Sequence, residues 1–148
     1  MKYILATVLM TLNSLSFAHD EGHGPKLTEA GKFGGVVASV IDEKDKSKGA
    51  AAVRVYKAEL VRSEDNEVSL YIYDEKMNLL PMSKFSKAGK GVVEIEKNKK
   101  HFLTEFTFAV VKNHFEGKAP KSEKRPFNID MQFSEGTRSL FVAFDNLD

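Results

Sequence analysis

The stretch Phe127-Asn-Ile-Asp-Met-Gln-Phe133 alternates apolar and polar residues without interruption. A period of two brings every second side chain to the same face of a β-strand, so the apolar row is predicted to face a core and the polar row to face solvent. The residues predicted to point inward are Phe127, Ile129, Met131 and Phe133. Pro126 has no backbone N–H and is expected at the start of this strand.

Similar short runs of β-branched and aromatic residues, separated by turn residues, follow one another from Gly34 onward. Predicted strands lie at residues 36–41, 51–62, 68–73, 92–95, 102–111, 127–133 and 139–144. The charged run 42–48 is predicted as a loop or hairpin tip, and 114–117 as a turn. About seven or eight short strands without a helical stripe predict an all-β fold, an immunoglobulin-like antiparallel β-sandwich.

The first eighteen residues have the pattern of a secretory signal peptide. Lys2 supplies the positive charge, Tyr3 to Leu12 form the apolar run, and Ser16-Phe17-Ala18 places small residues at the cleavage site. Cleavage after Ala18 would send the protein to the periplasm or the medium. The predicted division of the chain is a signal peptide at 1–18, a flexible, disordered histidine-bearing arm at 19–33, and a single sandwich domain at 34–148. No transmembrane segment is predicted in the mature chain.

Composition narrows the possible functions. The chain has no cysteine, which rules out disulfides and a lipid-modified cysteine after the cleavage site. It carries 22 Lys and Arg against 21 Asp and Glu, so no net field favours nucleic acid. Nucleophile elbows, zinc-protease helices and phosphate loops are all missing from the sequence. We therefore expect no catalytic residues and no organic cofactor. Glu59 and Asp74 could be imagined as a catalytic carboxylate pair. Charged strand side chains that face water explain these two residues more simply.

Cleavage after Ala18 would make His19 the first residue of the mature protein. A free α-amine and an imidazole on one residue can chelate copper or zinc, and His23 could add a third nitrogen. His101 and His114 lie near the two ends of a predicted strand, too far apart to share an ion unless a hairpin intervenes. His114 is the better candidate ligand of these two. The predicted metal residues are His19, His23 and His114; the competing interpretation is a polar arm and surface histidines without metal.

Two lysine-rich segments suggest a different kind of function. They comprise Lys118, Lys121, Lys124 and Arg125 in one loop, and Lys97, Lys99 and Lys100 at another strand end. If both lie at the same end of the domain, they could bind an anionic glycan or an acidic partner protein. Lysines also protect strand edges from aggregation, which is the simpler explanation. The alternative function is thus a partner- or glycan-binding module of the cell envelope with no metal.

The middle of the chain resembles the small periplasmic β-sandwich domain that accompanies bacterial heavy-metal efflux systems. The resemblance is carried by Lys57-Ala-Glu-Leu-Val61, by Glu67-Val-Ser-Leu-Tyr-Ile-Tyr-Asp74, by Leu79-Leu-Pro81 and by the Gly34-Gly35 pair. Phe33 precedes the glycines, where those relatives often carry a histidine. The resemblance implies a non-catalytic role in metal efflux or homeostasis, together with an envelope protein partner.

Overall fold

A computed structural model describes residues 22–122 and 124–148 of the chain. It contains eight strands: β1 (Val36–Asp42), β2 (Arg54–Arg62), β3 (Glu67–Tyr73), β4 (Ala88–Lys97), β5 (Lys100–Val111), β6 (His114–Lys118), β7 (Phe127–Glu135) and β8 (Arg138–Leu147). Two 3₁₀ segments, Glu43–Ala51 and Met82–Lys84, lie in the β1–β2 and β3–β4 connections. Among the described residues, no helix is both long and apolar enough to cross a membrane.

The strands form one closed antiparallel barrel in the order β1-β2-β3-β6-β5-β4-β7-β8. The predicted immunoglobulin-like sandwich is therefore wrong. A sandwich has two separate sheets, whereas here Ile41 pairs with Phe141 and Asp42 with Leu140, and these pairs join β1 to β8 and complete the ring. Strand length and alternation are the same in both architectures, so the sequence pattern could not distinguish them.

The inward rows of the strands fill the barrel. All four residues predicted to face inward from β7 are buried, which confirms the alternation read from the sequence. Phe115 on β6 is fully buried, and its ring lies 5.1 Å from both Phe108 and Phe133. Phe85, from the connection that follows β3, packs 5.5 Å from Phe133. An aromatic cluster thus occupies the interior at the end where β3 stops and β4 begins.

The long connection from β3 to β4 gives the barrel its order. β4, β5 and β6 form two consecutive hairpins, and β6 then pairs with β3. The connection from β3 to β4 therefore crosses one end of the barrel, past the positions of β6 and β5. Four strands connected in this way form a Greek key. The predicted turn at 114–117 is in fact β6, because the reversal occurs one step earlier, at Lys112 with its φ of 55°.

Candidate functional site

Residues 22–35, here called the strap, run across the outside of the barrel before β1 begins. The Gly22 N–H donates to the Lys46 carbonyl at 2.9 Å, and the Ser39 hydroxyl donates to the Pro25 carbonyl at 2.5 Å. Lys57, almost fully buried on β2, forms an ion pair with Glu29 at 2.5 Å. Residues 22–33 of the predicted flexible arm belong to this strap. Hydrogen bonds and an ion pair attach the strap to the barrel.

Glu59 anchors the end of the strap. Its carboxylate is fully buried on the outer face of β2 and accepts hydrogen bonds from the backbone N–H groups of Lys32, Phe33 and Gly35, each at 2.8 Å. The Tyr73 hydroxyl donates a fourth at 2.7 Å. Burial alone would raise the pKa of Glu59, but the Tyr73 hydroxyl and the three N–H groups outweigh it, so the pKa is lowered. The prediction that Glu59 faces water is therefore wrong; this side chain is buried and holds the strap.

Asp74, the other carboxylate considered for catalysis, caps its own turn. It accepts from the backbone N–H groups of Lys76 and Asn78, each at 2.8 Å, and from the Asn78 side chain at 2.9 Å. These bonds lower the pKa of Asp74. Local turn geometry accounts for both the position and the charge of this side chain.

A groove of about 370 Å³ lies on the outer face of β4, β7 and β8, beside the strap. The carboxylates of Glu94, Asp130 and Asp145 line it, one from each of these strands, and His23 reaches it from the strap. Lys46 and Lys90 also line the groove. Glu105 from β5 lines it as well, so the groove combines an imidazole with four carboxylates.

His23 is held at the groove by β8. Its Nδ1 lies 2.6 Å from an Asp145 carboxylate oxygen, and both side chains are only partly exposed to solvent. A carboxylate at one ring nitrogen fixes the orientation of an imidazole and raises its basicity, as it does for metal-binding histidines. The sequence identified His23 as a candidate, but it gave no indication that Asp145 is its partner.

Asp130 lies at the base of the groove. Burial raises the pKa of Asp130 to about 6; Glu94 and Asp145 act in the same direction, while Lys46 and His23 oppose them. Carboxylates that are costly to ionise are common at functional sites. Alternation along β7 correctly placed Asp130 on the outward row, yet the neighbouring acids come from strands distant in sequence.

We expect Asp130→Asn to stabilise the protein near neutral pH. Because the folded-state pKa is raised, the carboxyl favours folding at low pH, and that contribution is lost as the pH rises through about 6. The substitution should therefore increase the free energy of unfolding by roughly 1–3 kcal/mol at neutral pH and by clearly less in mild acid. Urea unfolding at the two pH values measures the difference, and an equal gain at both would contradict it.

His114 lies far from His23. It points outward from β6 and stacks on Tyr71 at 4.8 Å, and Tyr71 stacks on Phe33 at 4.2 Å. β6 and β8 are four strands apart in either direction around the ring, so these two histidines are on opposite sides of the barrel. His101 lies at the start of β5, near Glu94 at 2.7 Å, whereas His114 lies at the other end of the barrel.

Residues 22–122 and 124–148 contain no group of three or more His, Asp or Glu side chains arranged to hold a metal ion. His19, the proposed cleavage site and the signal peptide lie outside the described residues.

The lysine-rich segments do meet at one end of the barrel. The β4–β5 turn and the β6–β7 loop both lie there, and the Lys124 ammonium donates to the Glu96 carbonyl between them. Arg62, at the end of β2, places its guanidinium 4.8 Å from the ring centre of Phe127 at the same end. We call these residues the basic end: Arg62, Lys97, Lys99, Lys100, Lys118, Lys121, Lys124 and Arg125.

Comparison of the chain with protein-family models, with curated proteins and with solved structures finds no significant match.

Proposed function

We propose that the protein is an exported, non-catalytic envelope protein that captures Cu²⁺ or Zn²⁺ with the beginning of its mature chain. The α-amine and imidazole of His19 and the imidazole of His23 would hold the ion. The observation that supports this most is the 2.6 Å contact between His23 Nδ1 and Asp145 at the carboxylate-lined groove. The resemblance to domains of heavy-metal efflux systems points to the same function.

The donor set fits a borderline metal ion. Imidazole and amine nitrogens suit copper and zinc, and a carboxylate behind a ligating imidazole is the usual arrangement around such ions. The carboxylates of Glu94 and Asp130 add negative charge beside His23, which raises the local concentration of cations.

His19 is within reach of His23 by covalent geometry alone. Three residues lie between them, so four Cα–Cα steps place their Cα atoms at most about 14 Å apart. A link of this length allows both imidazoles to approach one ion. His114, on the opposite side of the barrel, is too far away to join them.

We expect the double variant His19→Ala/His23→Ala of the mature protein to bind Cu²⁺ at least about 100-fold more weakly than the parent, because three nitrogen donors are reduced to one amine. Isothermal titration calorimetry measures the affinity. The apo proteins should unfold within about 1 kcal/mol of each other, since the His23–Asp145 contact is partly exposed.

His114→Ala is the matched control, because it also removes one histidine but on the opposite side of the barrel. It should leave the copper affinity unchanged. Equal binding by the parent and the double variant would place the site elsewhere, and a parent that does not bind copper or zinc would favour the metal-free alternative.

The basic end supports that alternative, a module that binds an anionic glycan or an acidic partner. Two loops that are separate in sequence bring their lysines together there, as a binding patch requires. Retention of the mature protein on immobilised heparin, lost in Lys97→Glu/Lys121→Glu, would identify the patch. If the patch serves only to keep the strand ends soluble, both proteins should elute from heparin at low salt.

A further inference from the structure

The β4–β5 hairpin continues beyond its neighbouring strands at the basic end. β5 pairs with β4 from Lys100 to Ala109, but with β6 only from Phe108 to Val111. Within the described chain, residues 100–106 have no ladder partner on the side of β5 that faces away from β4. We call this side of residues 100–106 the free edge.

Both faces of the hairpin are open along the free edge. The first six residues of β5 are all exposed, whereas buried and exposed residues alternate from Phe106 onward. Leu103 is 65% exposed and Phe102 49%. Residues 120–122 of the β6–β7 loop face Phe102 and Thr104 across a cleft of about 220 Å³, so this loop does not close over the strand. An exposed, apolar strand edge is a site at which another strand can add.

The backbone directs its hydrogen-bonding groups to the free edge at every second residue. The Val110 N–H donates to the Lys87 carbonyl, on the side of β4. In an antiparallel ladder both groups of one residue face the same neighbouring strand, and those of the next residue face the other. The β4–β5 register has no shift, so even-numbered residues of β5 bond to β4. His101, Leu103 and Glu105 therefore direct their N–H and C=O groups outward.

We propose that two copies of the chain pair through their free edges and form a symmetric antiparallel dimer with Leu103 at the two-fold axis. In this register Leu103 lies opposite the partner's Leu103, and His101 lies opposite the partner's Glu105. It is the antiparallel register in which all three outward-directed residues of each copy find a partner. Because both copies use the same edge, the contact closes on itself and adds no third copy. This inference does not depend on the proposed metal function.

The sequence of the free edge is complementary to itself in this register. His101 and Glu105 lie two residues on either side of Leu103, so reversal of the strand exchanges an imidazole for a carboxylate. Cross-strand pairs of unlike polar groups are favourable, whereas like charges opposite each other are not. The lysines of the β4–β5 turn lie at opposite ends of the paired strands, where they do not meet. This self-complementarity is what selects a second copy as the occupant.

The side chain of Leu103 provides the apolar part of the contact. It points outward beside His101, whose Nδ1 lies 2.7 Å from Glu94, and it is covered by no other described element. In the dimer each Leu103 covers the other and removes apolar surface from water.

The contact is small, so the dimer is expected to be weak. Three pairs of residues supply about six main-chain hydrogen bonds along about 17 Å of strand. A single added strand buries less than the roughly 1,200 Å² of a stable interface, which corresponds to a dissociation constant between about 10 and 500 μM.

Sedimentation equilibrium of the mature protein tests the proposal, in EDTA so that metal ions play no part. Between about 10 μM and 1 mM we expect the average mass to rise from that of one chain toward that of two. Leu103→Lys places two ammonium groups on the two-fold axis and should weaken association at least about 10-fold. The matched control is Val53→Lys, because Val53 is apolar, 71% exposed and precedes β2. It should associate like the parent.

Two outcomes of this experiment would overturn the proposal. A parent mass that stays constant up to 1 mM would leave the free edge to a different protein or to solvent. Equal weakening by Leu103→Lys and Val53→Lys would place the contact elsewhere.

Hydrogen exchange followed by NMR reports which backbone groups pair. Amides of His101, Leu103 and Glu105 should exchange about two- to fourfold more slowly at about 1 mM than at about 50 μM, because they bond across the axis only in the dimer. Amides of Phe102 and Thr104 already bond to β4 and should change less. Exchange at His101, Leu103 and Glu105 that does not depend on concentration would overturn the proposal.

A cysteine at the axis gives a covalent readout of the register. Residues opposed in a hydrogen-bonded antiparallel pair have Cα atoms about 5.5 Å apart, which a disulfide can span. The chain has no cysteine of its own. In glutathione buffer, Leu103→Cys should form disulfide-linked dimers at least about 10-fold faster than Val53→Cys. Equal rates for the two variants would overturn the proposal.

Discussion

Glu59→Ala is expected to cost about 3–5 kcal/mol of the free energy of unfolding at neutral pH. The substitution removes an acceptor that is fully buried and holds four donors, three of them backbone N–H groups of the strap. Those N–H groups would lose their partner in a site that water reaches poorly. Urea unfolding followed by circular dichroism measures the change.

The same carboxylate gives the effect a pH dependence. The pKa of Glu59 is lowered in the folded protein from its ordinary value of 4.5, so its contribution is present above that value and is lost as the pH falls through the lowered pKa. The difference between parent and variant should therefore be full at neutral pH and should shrink in acid. A difference that stays constant over this range would contradict the assigned charge state.

Two further variants bracket the Glu59 result. Tyr73→Phe removes one of the four hydrogen bonds and should cost about 1–3 kcal/mol, which remains measurable even if Glu59→Ala fails to fold. Glu64→Ala removes an exposed glutamate from the turn after β2 and should change stability by less than about 0.5 kcal/mol. Similar losses in Glu59→Ala and Glu64→Ala would remove Glu59 from its anchoring role.

Phe115→Ala should have an effect of similar size, about 3–5 kcal/mol. Phe115 is fully buried, and its ring meets Phe108 and Phe133 at 5.1 Å, so truncation leaves a cavity lined by aromatic rings that cannot easily collapse. Chemical denaturation of the purified variant provides the measurement.

Phe102→Ala is the matched control for Phe115, because Phe102 lies on β5 with 49% of its surface exposed. It should cost less than about 1 kcal/mol. Phe115→Leu, which fills most of the volume, should fall between the two. If Phe102→Ala proves as costly as Phe115→Ala, the aromatic cluster is not the main core of the barrel.

Local alternation was enough to predict the contents of the barrel. Met131 faces inward because its neighbours in sequence alternate, and the same reasoning put Tyr71 and Tyr73 on the opposite face from Leu70. Strand order depends on pairing between segments that are distant in the chain. The pairing of β1 with β8, which closes the barrel, has no signature in the local sequence. For this reason seven of the eight strands were predicted, whereas β6 and the closed barrel were not.

The candidate site shows the same division between local and distant information. Alternation turns Asp130 outward, and composition drew attention to His23. These two residues lie beside Asp145 and Glu94 only because the strap crosses the barrel. The path of the strap depends in turn on Glu59, which accepts hydrogen bonds from the strap backbone. A glutamate on a strand ordinarily faces water, so its buried role could not be read from the sequence.

The most direct test of the metal function is the copper electron paramagnetic resonance spectrum of the mature protein that begins at His19, compared with the same protein carrying one extra glycine before His19. We expect nitrogen coupling from the amine and two imidazoles in the first protein, with weaker binding and a changed nitrogen pattern in the second. Identical spectra and affinities for the two proteins would contradict it.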